Sequence, residues 1–341
     1  MTRKRFPRSG QCPPRDRCQQ YLEVFCRDEV EAVARIYKTY VTDRERRTAI
    51  GKIITHLRQS GAYRALPCIP QGWRRRLDDL EALFPNFGEY ISFLRTTYAL
   101  AEREGRHSPH CEPVLLNGPP GIGKSLVIQH VVDFMGVRSQ TFRLESAQAG
   151  ADLQGTAEYW GNSQPGRLAK ELIFGSSAAP VFVLEEIDKV SAREYSPLNS
   201  LYELLESDSA ATYHDQALPW LGIRASRVIW VSASNSIDTV PAPILSRLKV
   251  IEIPAPTPEQ TLTIATEIWR RLRADWPVAT ANMVLTDDAL YAAASHPPRI
   301  IRKGLREAVG RAVYDGRNLI TADDINACMG HVQQRRPCGF L

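Results

Sequence analysis

Eight consecutive residues constrain this chain more than any others: Gly118, Pro119, Pro120, Gly121, Ile122, Gly123, Lys124 and Ser125. They fit the pattern G-x-x-x-x-G-K-[ST]. A short apolar run precedes them (114–116), and a stretch with helical spacing follows (125–135). In that setting the glycines let the backbone curl until its N–H groups face phosphate oxygens, and the helix N-terminus adds partial positive charge. Lys124 is expected to reach the β- and γ-phosphates of ATP, and the Ser125 hydroxyl to ligate Mg²⁺. A chance glycine-rich loop is the alternative; strand, helix, lysine and serine all in place count against it.

Further along stands Val181-Phe182-Val183-Leu184-Glu185-Glu186. Four apolar residues predict a buried strand with two carboxylates at its C-terminal end, the end at which parallel strands bind ligands. Glu185 is expected in the Mg²⁺ shell, and Glu186 to orient and polarise an attacking water. The more usual pair is Asp-Glu. Glu185 is one methylene longer, which predicts altered metal geometry or turnover.

Five short apolar runs, at 113–116, 140–144, 181–184, 228–232 and 250–253, alternate with longer helical patterns. That alternation predicts an α/β fold in which helices sandwich a parallel sheet. From Thr257 onward only helical signals appear, with Thr257-Pro258, Thr286 and Thr321 as N-terminal caps. The resulting expectation is a large α/β domain at 106–254, an all-α lid at 255–330 and a tail at 331–341. Before them stand a disordered basic tail (1–20) and a helical region (21–105). Within that region 21–60 reads as helical from Leu22, Phe25, Cys26, Val30, Val33 and Ile36, and 73–101 resumes the pattern after a break at 61–72.

The 341 residues are 43% hydrophobic and 24% charged, enough for two or three domains with ordinary cores. No apolar run approaches the ~18 residues that span a bilayer. The basic N-terminus leads into no apolar stretch, so a secretory signal is not expected and the cytoplasm is the default location. Seven cysteines, an odd number with no C-x-x-C pair, fit neither a disulfide framework nor a standard zinc site. His107, His110 and Cys111 form either part of a metal site or a polar loop lacking a fourth ligand. Charge is uneven: residues 1–110 hold 21 Lys/Arg against 13 Asp/Glu, whereas the rest holds 22 against 25. A basic N-terminal third suits nucleic acid or another acidic partner, or is a solvated helix face.

Taken together, residues 118–125, the run Val181 to Lys189 (Val-Phe-Val-Leu-Glu-Glu-Ile-Asp-Lys), 232–241 and 243–252 resemble the ATPase module of Lon-type proteases, within the AAA+ ATPases. The likeness covers about 84–330 and is strongest over 113–253. It implies that Asn235 is sensor 1, that Arg247 is an arginine finger reaching a neighbouring subunit's γ-phosphate, and that Arg299, after Pro297-Pro298, is sensor 2 in the lid. A guanidinium suits both arginine roles because it stays charged and its fork fits phosphate oxygens; a surface ion pair is the alternative for each. Phe87-Gly88 falls where the family places an aromatic–glycine pair near adenine. The family normally assembles as a hexameric ring of identical subunits. Tyr159-Trp160-Gly161, between Leu153-Gln154-Gly155 and Pro165-Gly166, matches the pore loop that grips a protein substrate; packing in a core is the alternative. The chain stops at Leu341, leaving no room for the family's serine–lysine peptidase domain, so no intrinsic proteolysis is expected. The N-terminal third is short for the family's substrate-binding region and suggests an adaptor surface or docking module.

Three functions follow. The leading one is a protein-remodelling ATPase motor. The alternative is a nucleic-acid-associated ATPase, a loader or transposition-type regulator, favoured by the basic N-terminal region and the Arg74-Arg75-Arg76 run. The third is a nucleotide switch with slow turnover, hinted at by Glu185.

Overall fold

A computed structural model describes residues 20–144, 149–157, 163–190 and 198–330. Five parallel strands form the central sheet: β1 (Val114–Asn117), β2 (Ser139–Arg143), β3 (Val181–Glu185), β4 (Ile229–Ser234) and β5 (Lys249–Glu252). Their order is β2-β3-β4-β1-β5. The three inner strands are almost wholly buried, which is why they read as unbroken apolar runs. The edge strands β2 and β5 bury few residues. Phe142 stacks on Phe182 with centroids 5.5 Å apart, and Phe182 packs on Trp230 at 5.1 Å, so aromatic rings bridge β2, β3 and β4. The sheet, flanked by helices, is the expected α/β architecture.

The described residues divide into two compact units, one within the spans Met1–Arg74, Ser92–Asn117 and Ile128–Glu252, the other within Arg75–Ile91, Gly118–Val127 and Ile253–Leu341.

The first unit holds the sheet and the beginning of the described chain. Here the expected helix from residue 21 is corrected. Tyr21–Glu23 is a strand paired antiparallel with Tyr63–Ala65, and helices follow only at α1 (Arg27–Tyr40) and α2 (Arg44–Ser60). The physical reason is pairing with distant backbone: the Val24 N–H donates to the Ala62 carbonyl, and Phe25 bridges to Ile223. Both side chains are buried. This N-terminal segment is therefore built into the unit. Glu29 accepts the Gly222 N–H at 2.9 Å, and Ala65 bridges to Ser177.

The pattern over 73–101 is broken into α3 (Trp73–Leu83), a tight turn at Pro85–Phe87 and α4 (Gly88–Arg103). Pro85 offers no N–H and pushes Phe84 out of helical geometry, to φ −128° and ψ 66°.

The second unit contains the first turn of α5 (Lys124–Met135) and the helices α6 (Pro258–Asp275), α7 (Asp287–Ala294), α8 (Pro298–Tyr314) and α9 (Ala322–Met329). Ala265, Leu272, Ala289, Ile301, Leu305 and Ile325 are among its core residues. Caps set the starts: Thr257 and Gln260 form a reciprocal box, and the Thr286 hydroxyl accepts the Ala289 N–H at 3.3 Å. At α9, Asp324 accepts from both the N–H and the hydroxyl of Thr321. One feature departs from the all-helical expectation: Val284–Leu285 pairs in parallel with Leu319–Ile320. Two residues are too few to show a strand period in sequence. Among the described residues no helix is long and apolar enough to cross a membrane.

Candidate nucleotide-binding site

The phosphate loop follows directly on Asn117, the last residue of β1. Within the second unit its shape demands glycine. A Cβ at Gly118 would collide with the Ile253 carbonyl oxygen, which is backbone and cannot swing away. Gly123 has φ +107°, a region that side chains rarely adopt. Lys124 is 8% exposed, and its ammonium donates to the carbonyls of Gly118 at 2.6 Å and Pro119 at 2.8 Å. The ammonium is thus held over the loop rather than in solvent. Ser125 is exposed in the first turn of α5.

The same unit brings Phe87 and Arg299 to this loop. Phe87 is wholly buried, packs edge-on against Phe84 at 5.9 Å, and lies 3.9 Å from where a Gly123 Cβ would stand. Its turn is tied down by Asn86 donating to the Pro254 carbonyl and Gln260 donating to that of Pro85. Gly88 opens α4 with an ordinary helical φ of −54°. Arg299, exposed at the start of α8, has its Cβ 3.6 Å from the position of a Gly121 Cβ.

In the first unit, several of the site residues expected from the sequence stand at or just after the carboxyl ends of the strands. Asn117 of β1 stands opposite Ser234 of β4, and Glu185 of β3 opposite Ala233 of β4. The Ser234 hydroxyl donates to the Asn117 side chain at 2.8 Å, and Asn117 donates to both Glu252 oxygens at 3.0 and 2.9 Å. This polar row locks β4, β1 and β5 together where β1 ends. The Glu185 side chain is 23% exposed, with Arg143 Nε at 3.6 Å. Glu186 has φ +59° and ψ 43°, the one positive φ of a non-glycine residue among the described residues. A left-handed glutamate is sterically costly and clusters at functional sites. Lys189 pairs with it at 2.7 Å. Asn235 follows β4, and its N–H donates to Asp188 Oδ2 at 3.1 Å. Arg247 donates to the Pro243 carbonyl at 2.7 Å and pairs with Glu206 at 3.3 Å, leaving its side chain 29% exposed.

Tyr159, Trp160 and Gly161 lie outside the described residues. Their flanks do not: Thr156 N–H donates to the Gln164 carbonyl at 3.1 Å, and Gln164 N–H donates to the Thr156 hydroxyl at 2.9 Å. Beneath this stem is the buried Asp215, which sequence reading did not single out. Its carboxyl accepts from Gly166 and Ala217, and burial pushes it up to about 6. Among the described residues no three His, Cys, Asp or Glu side chains come together to hold a metal, His107, His110 and Cys111 included. Cys111 is buried, and burial pushes its thiol up to about 12.

Several of the N-terminal cations have partners within the chain or are buried. Arg58 pairs with Glu31 at 2.6 Å and Arg74 with Glu102 at 2.5 Å. Arg47 donates to the carbonyls of Val41 and Thr42, and Arg64 is 1% exposed.

A glycine-dependent loop with a buried lysine, directly following a buried parallel strand in sequence, defines a P-loop nucleotide-binding protein. The loop residues fit a nucleotide phosphate through backbone N–H groups and a lysine. Comparison with known proteins agrees. Residues 114–255 match the family model "ATPase family associated with various cellular activities (AAA)". Lon protease 2 of Syntrophobacter fumaroxidans is 33% identical over 205 residues, 59% of this chain and 25% of that protein. The Lon protease of Chloroflexus aurantiacus is 32% identical over 207 residues, 59% of this chain and 24% of that one. The matches thus span about a quarter of these relatives' length. A single-site mutant of Thermotoga maritima RuvB shares the fold, with a TM-score of 0.50 at 16% identity over 76% of this chain and 69% of that one. Residues 114–255 thus carry an AAA ATPase domain similar to that of Lon-type proteases.

Proposed function

We propose that this chain is a ring-forming motor, hexameric like the family it resembles, that uses ATP hydrolysis to unfold or remodel protein substrates through a central pore. The observation that carries this reading is the braced stem at Thr156 and Gln164. It joins the two chain segments flanking Tyr159, Trp160 and Gly161 on a buried base. An aromatic pair delivered from a firm base can transmit force to an extended chain without reading its sequence.

In this reading Lys124 and the loop N–H groups hold the phosphates, with Ser125 and Glu185 as the protein's Mg²⁺ ligands. A bound Mg²⁺ would supply positive charge to offset the phosphates. Glu186 takes the proton of the attacking water, Asn235 orients that water, Arg299 contacts the γ-phosphate, and Phe87-Gly88 supports the loop near the base. Arg247 acts on the neighbouring subunit's nucleotide. Burial of Phe87 favours a supporting role for it over direct stacking on adenine.

A nucleic-acid role draws on the net basic N-terminal third. The internal pairing of Arg58 and Arg74 and the burial of Arg64 leave fewer of these cations for a phosphate backbone than the count suggests. The deciding experiment is the steady-state ATPase rate alone, with an unfolded polypeptide, and with single- or double-stranded DNA, using Lys124→Ala as the blank. Stimulation by polypeptide that disappears in Tyr159→Ala, while basal hydrolysis persists, supports the motor. Stimulation by DNA alone, weakening steeply with salt, would transfer the function to nucleic acid.

A further inference from the structure

We propose that Asp188 is a positioning residue for hydrolysis, tying Glu186 to Asn235 so that both address one water; this rests on the reading of those two residues as the water-orienting pair. Asp188 sits two residues after Glu186, in the tight turn Ile187–Lys189 that follows β3. Its carboxylate and its carbonyl both reach the segment after β4. Oδ2 accepts the Asn235 N–H at 3.1 Å, and the carbonyl accepts the Thr239 hydroxyl at 2.5 Å. One residue therefore holds the segment after β4 at two points four residues apart.

The turn itself is pinned from below. Ile187 is wholly buried, and the Lys189 N–H donates to the Glu186 carbonyl at 3.0 Å. Glu186 is left-handed, a conformation that persists only where its surroundings over-determine it. Asp188 supplies part of that determination. Released from Asn235, with only the backbone bond to Thr239 left, the turn is free to relax, and the Glu186 carboxylate moves with it. A second observation marks the carboxylate as more than a spacer: Asp188 Oδ1 is buried and has no hydrogen-bond partner. A buried unpaired carboxylate oxygen is unfavourable, and its retention points to a functional constraint. The phosphate loop owes its shape to other residues, namely its own glycines and Lys124. Loss of Asp188 should therefore lower turnover without loosening nucleotide binding.

The test uses the full chain and four variants: Asp188→Ala, Asp188→Asn, Asp188→Glu and Glu186→Gln. Steady-state ATP hydrolysis gives kcat and KM, a fluorescent ADP analogue gives nucleotide affinity, and thermal melting reports the fold. Asp188→Ala is expected to lower kcat about 10- to 100-fold, as a misplaced catalytic group does, with KM and nucleotide affinity within about twofold of wild type. Asp188→Asn should keep most of kcat, because its amide oxygen can still accept the Asn235 N–H. Asp188→Glu keeps the charge, displaces the acceptor and should lose kcat while folding normally, which covers the case in which the alanine variant does not fold. Unchanged kcat in Asp188→Ala, with turnover abolished in Glu186→Gln, would overturn the proposal and leave Glu186 its role. Parallel collapse of kcat, affinity and melting temperature across the Asp188 variants would also overturn it, by showing a purely structural residue. Turnover surviving in Glu186→Gln would overturn it together with the reading on which it rests.

Discussion

Asp215 accepts the Gly166 N–H at 2.8 Å on one carboxylate oxygen and the Ala217 N–H at 2.9 Å on the other. A Cβ at Gly155 would press on the same carboxylate, so two other stretches of chain meet at one acid. Burial, the largest influence, raises its pKa to about 6 against an ordinary 3.8, while the two N–H donors pull the other way. Because the folded value lies above the unfolded one, the native state holds this proton more tightly. The associated stability is full below about pH 4 and is lost as pH rises to about 6, by an amount on the order of 3 kcal/mol. Above that the contribution is flat. Chemical denaturation of wild type and Asp215→Asn across this range checks the sign, since the difference cancels every other carboxylate. Wild type should lose ground to the variant from pH 4 to pH 6; a level difference would refute the assignment.

Arg64 is a buried cation held by neutral oxygens. It donates to the carbonyls of Gly61 at 2.8 Å, Tyr63 at 2.9 Å and Ile173 at 2.5 Å, and to the Ser60 hydroxyl at 3.2 Å. Burial lowers its pKa to about 10, which leaves it charged at neutral pH. Arg64→Ala removes these donors and the packed stem and should cost about 2–4 kcal/mol, read from urea midpoints. Arg64→Lys should recover little, because one ammonium cannot span acceptors arranged for a planar fork. Full recovery by lysine would show that charge alone matters there.

Two residues of the phosphate loop should fail differently. Lys124→Ala removes an ammonium aimed over the loop and should lower the ATPase rate about 10²–10³-fold with little change in melting temperature. Gly118→Ala sets a methyl against the Ile253 carbonyl oxygen and should lower melting temperature as well as rate. If Gly118→Ala melts like wild type, the packing of that glycine is looser than the distances imply.

What could be read in the sequence was what is local. The loop of residues 118–125 declares itself in eight consecutive positions, and the inner strands declare themselves because burial on both faces leaves them wholly apolar. The strand at Tyr21–Glu23 did not, because three residues show no period and its partner begins at Tyr63. Asp188 stood inside a recognised stretch without a role, because its partner Asn235 is 47 residues away. Asp215 was passed over for the same reason: a single acid in a loop says nothing until Gly166, 49 residues earlier, brings its N–H. Arg247 was named through resemblance, but its hold on Glu206, 41 residues before it, was not legible.

That hold bears on how the arginine finger is tested. Arg247 is tied within its own chain to Glu206 at 3.3 Å and to the Pro243 carbonyl at 2.7 Å. Its exposed partner is a weak restraint, since surface ion pairs contribute about 0–1 kcal/mol, so Glu206→Ala should leave hydrolysis intact or raise it. Arg247→Ala should lower hydrolysis by at least about 10²-fold if the guanidinium serves a neighbouring nucleotide. Glu186→Gln should be similarly inactive for a different reason. A trans role then makes a sharper demand. In mixed assemblies, an Arg247→Ala subunit still carries its own Glu186, and a Glu186→Gln neighbour still supplies Arg247. Mixing the two inactive variants should therefore restore part of the wild-type rate, and dilution below the assembly concentration should abolish it again. Recovery would place Arg247 in a shared site between copies of this chain. No recovery, with co-assembly verified by sizing, would leave Arg247 as a structural partner of Glu206.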